Sequence, residues 1–319
     1  MNTPHRLTRP VKFNYLSQLM QTILLTGATG YLGSQIANAF VCAKHRVAIL
    51  TRKNSNLSRI NSLLPNLQVF NLEDGLDKPF RILGKVHAVV HTATCYGRKG
   101  ETPLAVFEAN TVFPLRLLEI ATNFGADSFF NTDTVLNEYI NTYSLSKHQF
   151  AEWGKSFASE GAIKFINIQL EHFYGPGDDA QKFTSYVIRS CLNNLSEIKL
   201  TAGEQSRDFV HVDDVVRAYT CLVDKATKLD SGYHNCGVGS GQSVSLKEFV
   251  NKIHRLTNSR SKLMFGALPY RKYELLQSQA DTSLLEEIGW NCQLSLEQGL
   301  EQTIDEVMRS RKIITTGDG

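Results

Sequence analysis

The stretch TILLTGATGYLGSQIANAF, residues 22–40, decides the fold that this sequence can adopt. A short apolar run, typical of a buried strand, leads into Gly27, Gly30 and Gly33 and then into a segment with helical periodicity. In such a strand–turn–helix the first glycine permits a tight turn, the second lets the backbone approach a pyrophosphate, and the third allows close helix–strand packing. The amino terminus of the helix also offers amide donors to the anion. The segment therefore predicts a dinucleotide-binding turn. Its other predicted contacts are Thr29, Tyr31 and Leu32.

The sequence that follows extends this pattern into alternating strands and helices. We predict strands at Thr22–Thr26, Val47–Thr51, Leu67–Phe70, Ala88–His91, Ser128–Asn131 and Phe165–Leu170. We predict helices between them at Tyr31–Ala43, Asn56–Leu64, Leu104–Phe124 and Tyr143–Glu160. Strands that alternate with helices form a parallel sheet with both faces covered. The expected fold class is therefore α/β, a doubly wound parallel sheet of the Rossmann type with six strands.

The chain divides by pattern into three parts. Residues 1–20 are predicted to be an N-terminal extension, because they lack the apolar run and the cleavage site of a signal peptide. Residues 21–170 carry the Rossmann pattern. After the irregular run GPGDD, residues 171–319 are predicted to form a smaller C-terminal substrate lobe, which can include elements that return to the sheet. Its predicted helices are Asp213–Lys225, Ser245–Leu256 and Leu296–Arg309.

Composition excludes several classes of protein. With 42% hydrophobic and 20% charged residues, the 319-residue chain is typical of a globular protein, and no window approaches the 18 or so apolar residues of a membrane span. The net charge of +3 is evenly spread and predicts no nucleic-acid partner. The six cysteines are scattered without metal-ligand spacing, so we expect no metal site. Buried thiols of this kind predict a reducing, cytoplasmic location.

The residues after the second predicted strand indicate the cofactor. An acidic residue there matches a free ribose 2′-hydroxyl, whereas arginine matches a 2′-phosphate. Here Thr51 is followed by Arg52 and Lys53, which favours NADPH, with Arg52 as the phosphate ligand. Ala93, after the fourth strand, is small enough for the adenosine side of the cofactor to lie against the backbone.

Two segments supply candidate catalytic residues. In YSLSK, Tyr143 and Lys147 stand four residues apart and so share one helix face. A neighbouring ammonium is predicted to lower the pKa of the Tyr143 phenol, which then exchanges a proton with a substrate oxygen. FFNTDTVL supplies Thr132, Asp133 and Thr134 at the carboxyl end of the fifth strand, where ligands bind in such sheets. Either threonine hydroxyl can hydrogen-bond the same oxygen.

These residues resemble those of a known superfamily. The glycine turn with Thr132, Tyr143 and Lys147 is similar to the Ser/Thr–Tyr–Lys arrangement of the extended short-chain dehydrogenases/reductases, over about residues 22–310. HFYGPGD at 172–178 and RDFVHVDD at 207–214 resemble segments of its nucleotide-sugar enzymes. The resemblance implies that His172 contacts cofactor and sugar, and that Arg207 and Arg271 bind the diphosphate. His172 stands where asparagine is usual.

Other segments resemble one branch, the CDP-3,6-dideoxyhexose 4-reductases of O-antigen pathways, which make CDP-paratose or CDP-abequose. They are CYGRKGE at 95–101, QLEHFYGPGD at 169–178, KFTSYVIRSCL at 182–192 and GEQSRDF at 203–209. The short stretch between Thr132 and Tyr143 is more similar to the paratose enzymes. Gln169 departs from the arginine that is common there. The resemblance implies a nucleotide-sugar substrate bound by Cys95, Tyr96, Arg98, Asp133, His172 and Lys182 in addition to the two arginines.

The sequence ranks the reactions open to such an enzyme. Dehydratases carry a glutamate as base where this chain has Thr134, so elimination is disfavoured. A 4-epimerase usually holds NAD, which Arg52 does not favour. We therefore expect reduction of the C4 ketone of CDP-4-keto-3,6-dideoxyglucose by NADPH. A 4-epimerase, a reductase of another 4-keto-6-deoxy sugar and a non-catalytic NADP-binding sensor stay open. The resemblance also implies a homodimer packed through the helices at 104–124 and 143–160.

Overall fold

The computed structural model describes residues 20–316, so the predicted extension lies outside the described residues except for Met20. The strands are β1 Thr22–Thr26, β2 Arg46–Thr51, β3 Leu67–Asn71, β4 Ala88–His91, β5 Ser128–Thr134, β6 Lys164–Leu170, β7 His172–Tyr174, β8 Glu197–Lys199, β9 Ser206–His211, β10 Tyr233–Val238, β11 Ser243–Ser245 and β12 Lys262–Met264. The α-helices are α1 Tyr31–Cys42, α2 Lys78–Leu83, α3 Pro103–Phe107, α4 Phe113–Asn123, α5 Thr142–Ser159, α6 Phe183–Leu192, α7 Val212–Lys225, α8 Leu246–Leu256, α9 Ser283–Glu287 and α10 Leu296–Thr316. Segments of 3₁₀-helix span Ser58–Asn66, Leu72–Asp74 and Ala226–Lys228.

The residues group into two compact units. The first comprises the described chain up to Thr134, then Asn141–Ile168 and Tyr219–Cys236. The second comprises Val135–Ile140, Gln169–Ala218 and the chain from Gly237 onward. Residues 219–236, beyond the predicted boundary at 170, thus belong to the first unit.

A seven-stranded sheet forms the centre of the first unit, in the order β10-β6-β5-β4-β1-β2-β3. β1 pairs in parallel with both β2 and β4, and the pairs β2–β3 and β4–β5 are also parallel. All five residues of β1 are buried, as expected for a strand covered on both faces. The predicted doubly wound α/β fold is confirmed. The prediction of six strands is wrong by one, because β10 adds a further strand at the edge beside β6.

Part of the core of this unit lies between the sheet and helix α5. Phe129 and Phe165 stack with ring centroids 5.6 Å apart, and Phe150 of α5 contacts both rings edge-on. Gly154 allows the close approach of the helix, because a Cβ atom there would overlap the Phe165 ring. This packing fixes α5, and with it Tyr143 and Lys147, against the sheet.

The helix predicted over Leu104–Phe124 is interrupted. Five residues, Glu108–Val112, form a π-helical turn between α3 and α4. Pro114 has no amide hydrogen, so a regular α-helix could not satisfy the carbonyl four residues before it. The wider turn includes Asn110, a fully buried side chain. The proline thus explains a departure that the hydrophobic pattern alone does not indicate.

The second unit contains two small sheets, in the orders β11-β9-β7 and β12-β8. Helices α6, α8 and α10 pack around them. The ring of Phe209 on β9 stacks on that of Phe249 on α8, with the ring centroids 3.6 Å apart. The helices predicted after residue 170 are present as α7, α8 and α10, whereas α6, α9 and the small sheets were not predicted.

Several absences concern only this described part of the chain. Between residues 20 and 316, none of the helices combines the length and apolar character needed to cross a bilayer. In the same range, no three His, Cys, Asp or Glu side chains are grouped as a metal site would require. All six cysteines lie within the described residues. Cys191 and Cys236 are buried, and the other four are only half-buried, which corrects the expectation that all six are buried.

Candidate active site

The glycine turn between β1 and α1 has the geometry of a phosphate cradle. Gly27 lies at φ 75°, and a Cβ atom there would come within 2.5 Å of the backbone nitrogen of Ala93. A Cβ atom on Gly33 would overlap the carbonyl oxygen of Gly27. Gly30 caps α1 without a side-chain hydrogen bond, and the first turn of this helix carries no acidic residue. The amide groups at this helix terminus therefore suit an anion, and the turn fits a dinucleotide.

The other predicted residues of the turn differ in exposure. Thr29 and Tyr31 are half-buried, and the Arg59 guanidinium lies 5.7 Å from the centroid of the Tyr31 ring. Leu32 is buried in the core, so only its backbone is available to a ligand. Ala93 is half-buried after β4.

Arg52 follows β2 and is exposed. Next to it, the backbone amide of Lys53 donates to the Glu73 carboxylate at 3.1 Å. Glu73 was not predicted as a site residue, because it comes from the 3₁₀ turn after β3 and only the folded sheet brings it to the end of β2. The end of β2 therefore carries the exposed guanidinium of Arg52 and a Glu73 carboxylate that already accepts a hydrogen bond from the Lys53 amide.

Helix α5 presents the predicted catalytic pair. Asn141 caps the helix by accepting a hydrogen bond from the Ser144 amide at 2.9 Å. The buried face of the helix includes Lys147, which is 1% exposed, while Tyr143 is half-buried one turn earlier. Burial lowers the pKa of Lys147 to about 8, and the Asp133 carboxylate opposes that decrease.

Tyr143 lies among polar and aromatic side chains. The Thr134 hydroxyl hydrogen-bonds its phenol, the Tyr96 ring packs against it at a centroid distance of 4.8 Å, and the Arg98 guanidinium lies 4.9 Å from the centroid of the Tyr96 ring. Burial, and after it Tyr96 and Asp133, raise the pKa of Tyr143. The prediction of a lowered pKa is therefore wrong, because removal of the phenolate from water outweighs the Thr134 hydrogen bond and the Arg98 charge, which act in the opposite direction.

The two candidate threonines have different partners. Both lie on one face of β5, since residues two apart in a strand point the same way. Thr132 Oγ1 lies 2.6 Å from the hydroxyl oxygen of Tyr219, whereas Thr134 contacts Tyr143. The structure thus brings Thr134, rather than Thr132, to the phenol. Tyr219 comes from a distant part of the chain and was not predicted.

Asp133 and Cys95 take part in contacts within the protein. Asp133 is 2% exposed, and its two carboxylate oxygens accept hydrogen bonds from the Thr134 amide and from the Asn167 side chain. The Asn110 side chain accepts from the Cys95 amide and donates to its carbonyl, both at 2.8 Å. Asn110 therefore fixes the segment that carries Tyr96 and Arg98.

In the second unit, Arg207 lies on β9 and is 5% exposed. Its guanidinium pairs with Glu274, a residue not predicted, while Asp213 approaches His211 at 3.6 Å. Asp208, the next residue on β9, holds this strand in place. Its carboxylate accepts hydrogen bonds from the amides of residues 240, 241 and 280.

The other predicted substrate residues of this unit lie at its surface or in small polar pairs. Arg271 is exposed. His172 Nδ1 is 3.4 Å from the Glu171 carboxylate, and Lys182 pairs with Asp178 at 3.0 Å and lies over the Phe173 ring. Their assignment to a ligand stays a prediction.

Comparison with known proteins gives matches over most of the chain. The model of the NAD dependent epimerase/dehydratase family matches residues 23–237. CDP-abequose synthase of Salmonella muenchen is 34% identical over 290 residues, which cover 88% of this chain and 96% of that protein.

Solved structures agree in fold. UDP-glucose 4-epimerase of Thermotoga maritima, determined with UDP-glucose, superposes with a TM-score of 0.79 at 21% identity, covering 91% of this chain and 100% of that one. UDP-glucose 4-epimerase of Thermus thermophilus, in complex with NAD, gives a TM-score of 0.76 at 20% identity, with 90% and 99% covered.

Proposed function

The chain belongs to the NAD dependent epimerase/dehydratase family, and from that membership we propose that it uses NADPH to reduce the C4 ketone of a nucleotide-linked deoxy sugar. The proposed substrate is CDP-4-keto-3,6-dideoxyglucose, and the product is CDP-paratose or CDP-abequose for O-antigen synthesis. The 34% identity to a CDP-abequose synthase supports this class of substrate. The observation that carries the proposal is the contact of Thr134 with Tyr143, one helical turn from the buried Lys147.

The ionisation of Tyr143 supports reduction. A ketone that is reduced becomes an alkoxide and needs a proton, which a neutral phenol can give. A phenol with its ordinary pKa is already protonated at neutral pH, and burial, which raises the pKa of Tyr143, keeps it in that form. The Thr134 hydroxyl is suited to hydrogen-bond the same oxygen and to hold it as charge develops. The Lys147 ammonium adds a positive charge to the site, which favours the phenolate that remains after proton transfer.

The cofactor would be held by residues of the first unit. When bound, NADPH supplies a hydride to the ketone carbon. The glycine turn would hold its pyrophosphate and Lys147 its nicotinamide ribose. We propose NADPH rather than NADH because Arg52 is exposed for a 2′-phosphate, while Glu73 is engaged by the Lys53 amide.

A homodimer is part of the proposal. Helices α3 and α5 expose large apolar side chains, among them Leu104 and Phe107 on α3 and Leu145 and Trp153 on α5. Because α3 and α5 contact each other, these exposed apolar groups are suited to a shared protein–protein contact. We propose that these helices pair with their copies in a second subunit.

Replacement of Thr134 by valine tests which threonine acts. We expect kcat for ketone reduction to fall about 10- to 100-fold, because the hydroxyl that faces Tyr143 is lost. Thr132→Val is the matched control: it removes the contact with Tyr219 and should lower kcat less than threefold or so. Steady-state kinetics at saturating substrate measure both variants. Equal losses, or a larger loss for Thr132→Val, would contradict the role of Thr134.

The function itself is tested by following NADPH absorbance with CDP-4-keto-3,6-dideoxyglucose generated in situ. We expect NADPH consumption, with at least about tenfold lower kcat/KM for NADH, and a C4-reduced sugar nucleotide whose configuration NMR identifies. Recovery of an epimer without net NADPH consumption would contradict reduction and favour a 4-epimerase. Binding of NADPH without turnover of any 4-keto sugar nucleotide would favour a non-catalytic sensor.

A further inference from the structure

The buried ammonium of Lys147 contacts a neutral side chain rather than a carboxylate. Its Nζ lies 3.5 Å from the side-chain oxygen of Asn131, within a site where Lys147 is 1% exposed. A neutral amide satisfies a hydrogen bond but supplies no opposite charge. A buried ammonium without a nearby negative charge is costly and tends to lose its proton.

A chain of amides connects this ammonium to a carboxylate. The Asn131 side-chain nitrogen donates to the Asn167 oxygen at 2.8 Å, and the Asn167 nitrogen donates to Oδ2 of Asp133 at 3.0 Å. In each amide the oxygen accepts the hydrogen bond that comes from the direction of Lys147, and the nitrogen donates the one that leads toward Asp133. The dipoles are therefore aligned from cation to anion, an arrangement in which hydrogen bonds strengthen one another.

We infer that Asp133 is the counter-ion of Lys147, coupled to it through the side-chain amides of Asn131 and Asn167, and that it maintains the ammonium over the pH range of catalysis. The catalytic part of this inference rests on the proposed function. Asp133 is then a positioning residue, in place of the substrate contact predicted from the sequence.

Among the groups around the network, Asp133 is the carboxylate that the amide chain reaches by a hydrogen bond. His91 on β4 is buried, and burial with the nearby Lys147 lowers its pKa well below the usual value, so it is neutral. Tyr233 on β10 hydrogen-bonds Asn167, and burial raises its pKa to about 12. The other titratable groups that face this region are Tyr96, Arg98, Tyr143, His148, whose Nδ1 lies 3.6 Å from Asp133, and Glu152, which acts on Tyr233.

Asp133→Asn tests the inference through the pH profile of ketone reduction. We expect the alkaline decline of kcat to move down by about one pH unit, because Lys147 loses its counter-ion, with KM nearly unchanged. Glu152→Gln is the matched control. It removes a carboxylate from α5, the helix that carries Lys147, and should leave the alkaline decline of kcat at its wild-type pH. Asn167→Ser breaks the amide chain without removing a charge and should shift the decline in the same direction. An unshifted profile in both Asp133→Asn and Asn167→Ser would overturn the inference.

A second measurement does not depend on turnover. At about pH 6.5, where Lys147 is charged, Asp133→Asn is expected to lower the Tm of the wild-type protein. In a Lys147→Met background the same change should lower Tm less, because the carboxylate has already lost its cation and keeps only its other partners. Equal losses of Tm in both backgrounds would overturn the inference. If no sugar nucleotide is reduced but this coupling is found, the proposed function fails and the counter-ion assignment holds.

Discussion

Tyr143→Phe is expected to lower kcat for ketone reduction by about 10²- to 10⁴-fold, the range for loss of a positioned proton donor. Phenylalanine keeps the ring that packs against Tyr96 but removes the hydroxyl that contacts Thr134. The Tyr143 phenol is protonated at neutral pH, and its raised pKa keeps it so, so the wild-type enzyme carries a proton for the alkoxide. Single-turnover measurement of NADPH oxidation isolates the chemical step.

Tyr96→Phe provides the control for this variant. Tyr96 is the adjacent phenol, 38% exposed, and its ring contributes packing rather than the proposed proton. Because Tyr96 is a predicted substrate contact, its loss can change KM, whereas kcat should change by no more than about threefold, since no proposed proton donor is removed. NADPH affinity should be unchanged in both variants. Retention of full turnover by Tyr143→Phe, or a larger loss in Tyr96→Phe, would assign the proton to another group.

Gly33→Ala is expected to impair both stability and cofactor binding. A methyl group at this position overlaps the Gly27 carbonyl and approaches the Thr92 hydroxyl, so the turn has to shift. Overpacking of this kind costs about 1–3 kcal/mol of the free energy of unfolding, and the displaced turn should raise the Kd for NADPH at least about tenfold. Denaturant unfolding and fluorescence titration measure the two effects.

Gly30→Ala separates binding from folding in the same turn. Gly30 is exposed with φ −80°, a value that alanine adopts, and its added Cβ would meet only the Gly27 oxygen at 3.2 Å. We expect near wild-type stability with weaker NADPH binding, because the methyl group stands where the backbone meets the pyrophosphate. Unaltered NADPH affinity in both glycine variants would argue against this turn as the cofactor site.

The sequence predicts the central sheet well because its strands carry a local signal. Buried parallel strands such as β1 appear as continuous apolar runs between turn residues, and the glycine spacing identifies the turn after β1. β10 carries a weaker signal, since YHNCGV mixes exposed and buried positions. The interruption of the helix before Pro114 was readable from the proline, although its π geometry was not.

Site residues that lie close together in the sequence were predicted from motifs. Site residues that only the fold brings together were missed. Tyr143 and Lys147 are brought together by helical spacing alone. Asn167, Tyr219 and Glu274 reach their partners across long stretches of chain, and nothing in their local sequence marks them. The pKa of Tyr143 also depends on burial, which spacing does not reveal.

The position of β10 in the sheet has a consequence for synthesis of the chain. On the ribosome, β1 to β6 emerge before β10, so β6 is an unpaired edge until residues 233–238 have been translated. An open edge strand is a template for pairing with other chains. At translation rates of about 5–20 residues per second, this exposure lasts for several seconds. A nascent chain that stalls between β6 and β10 would therefore leave this edge open to aggregation.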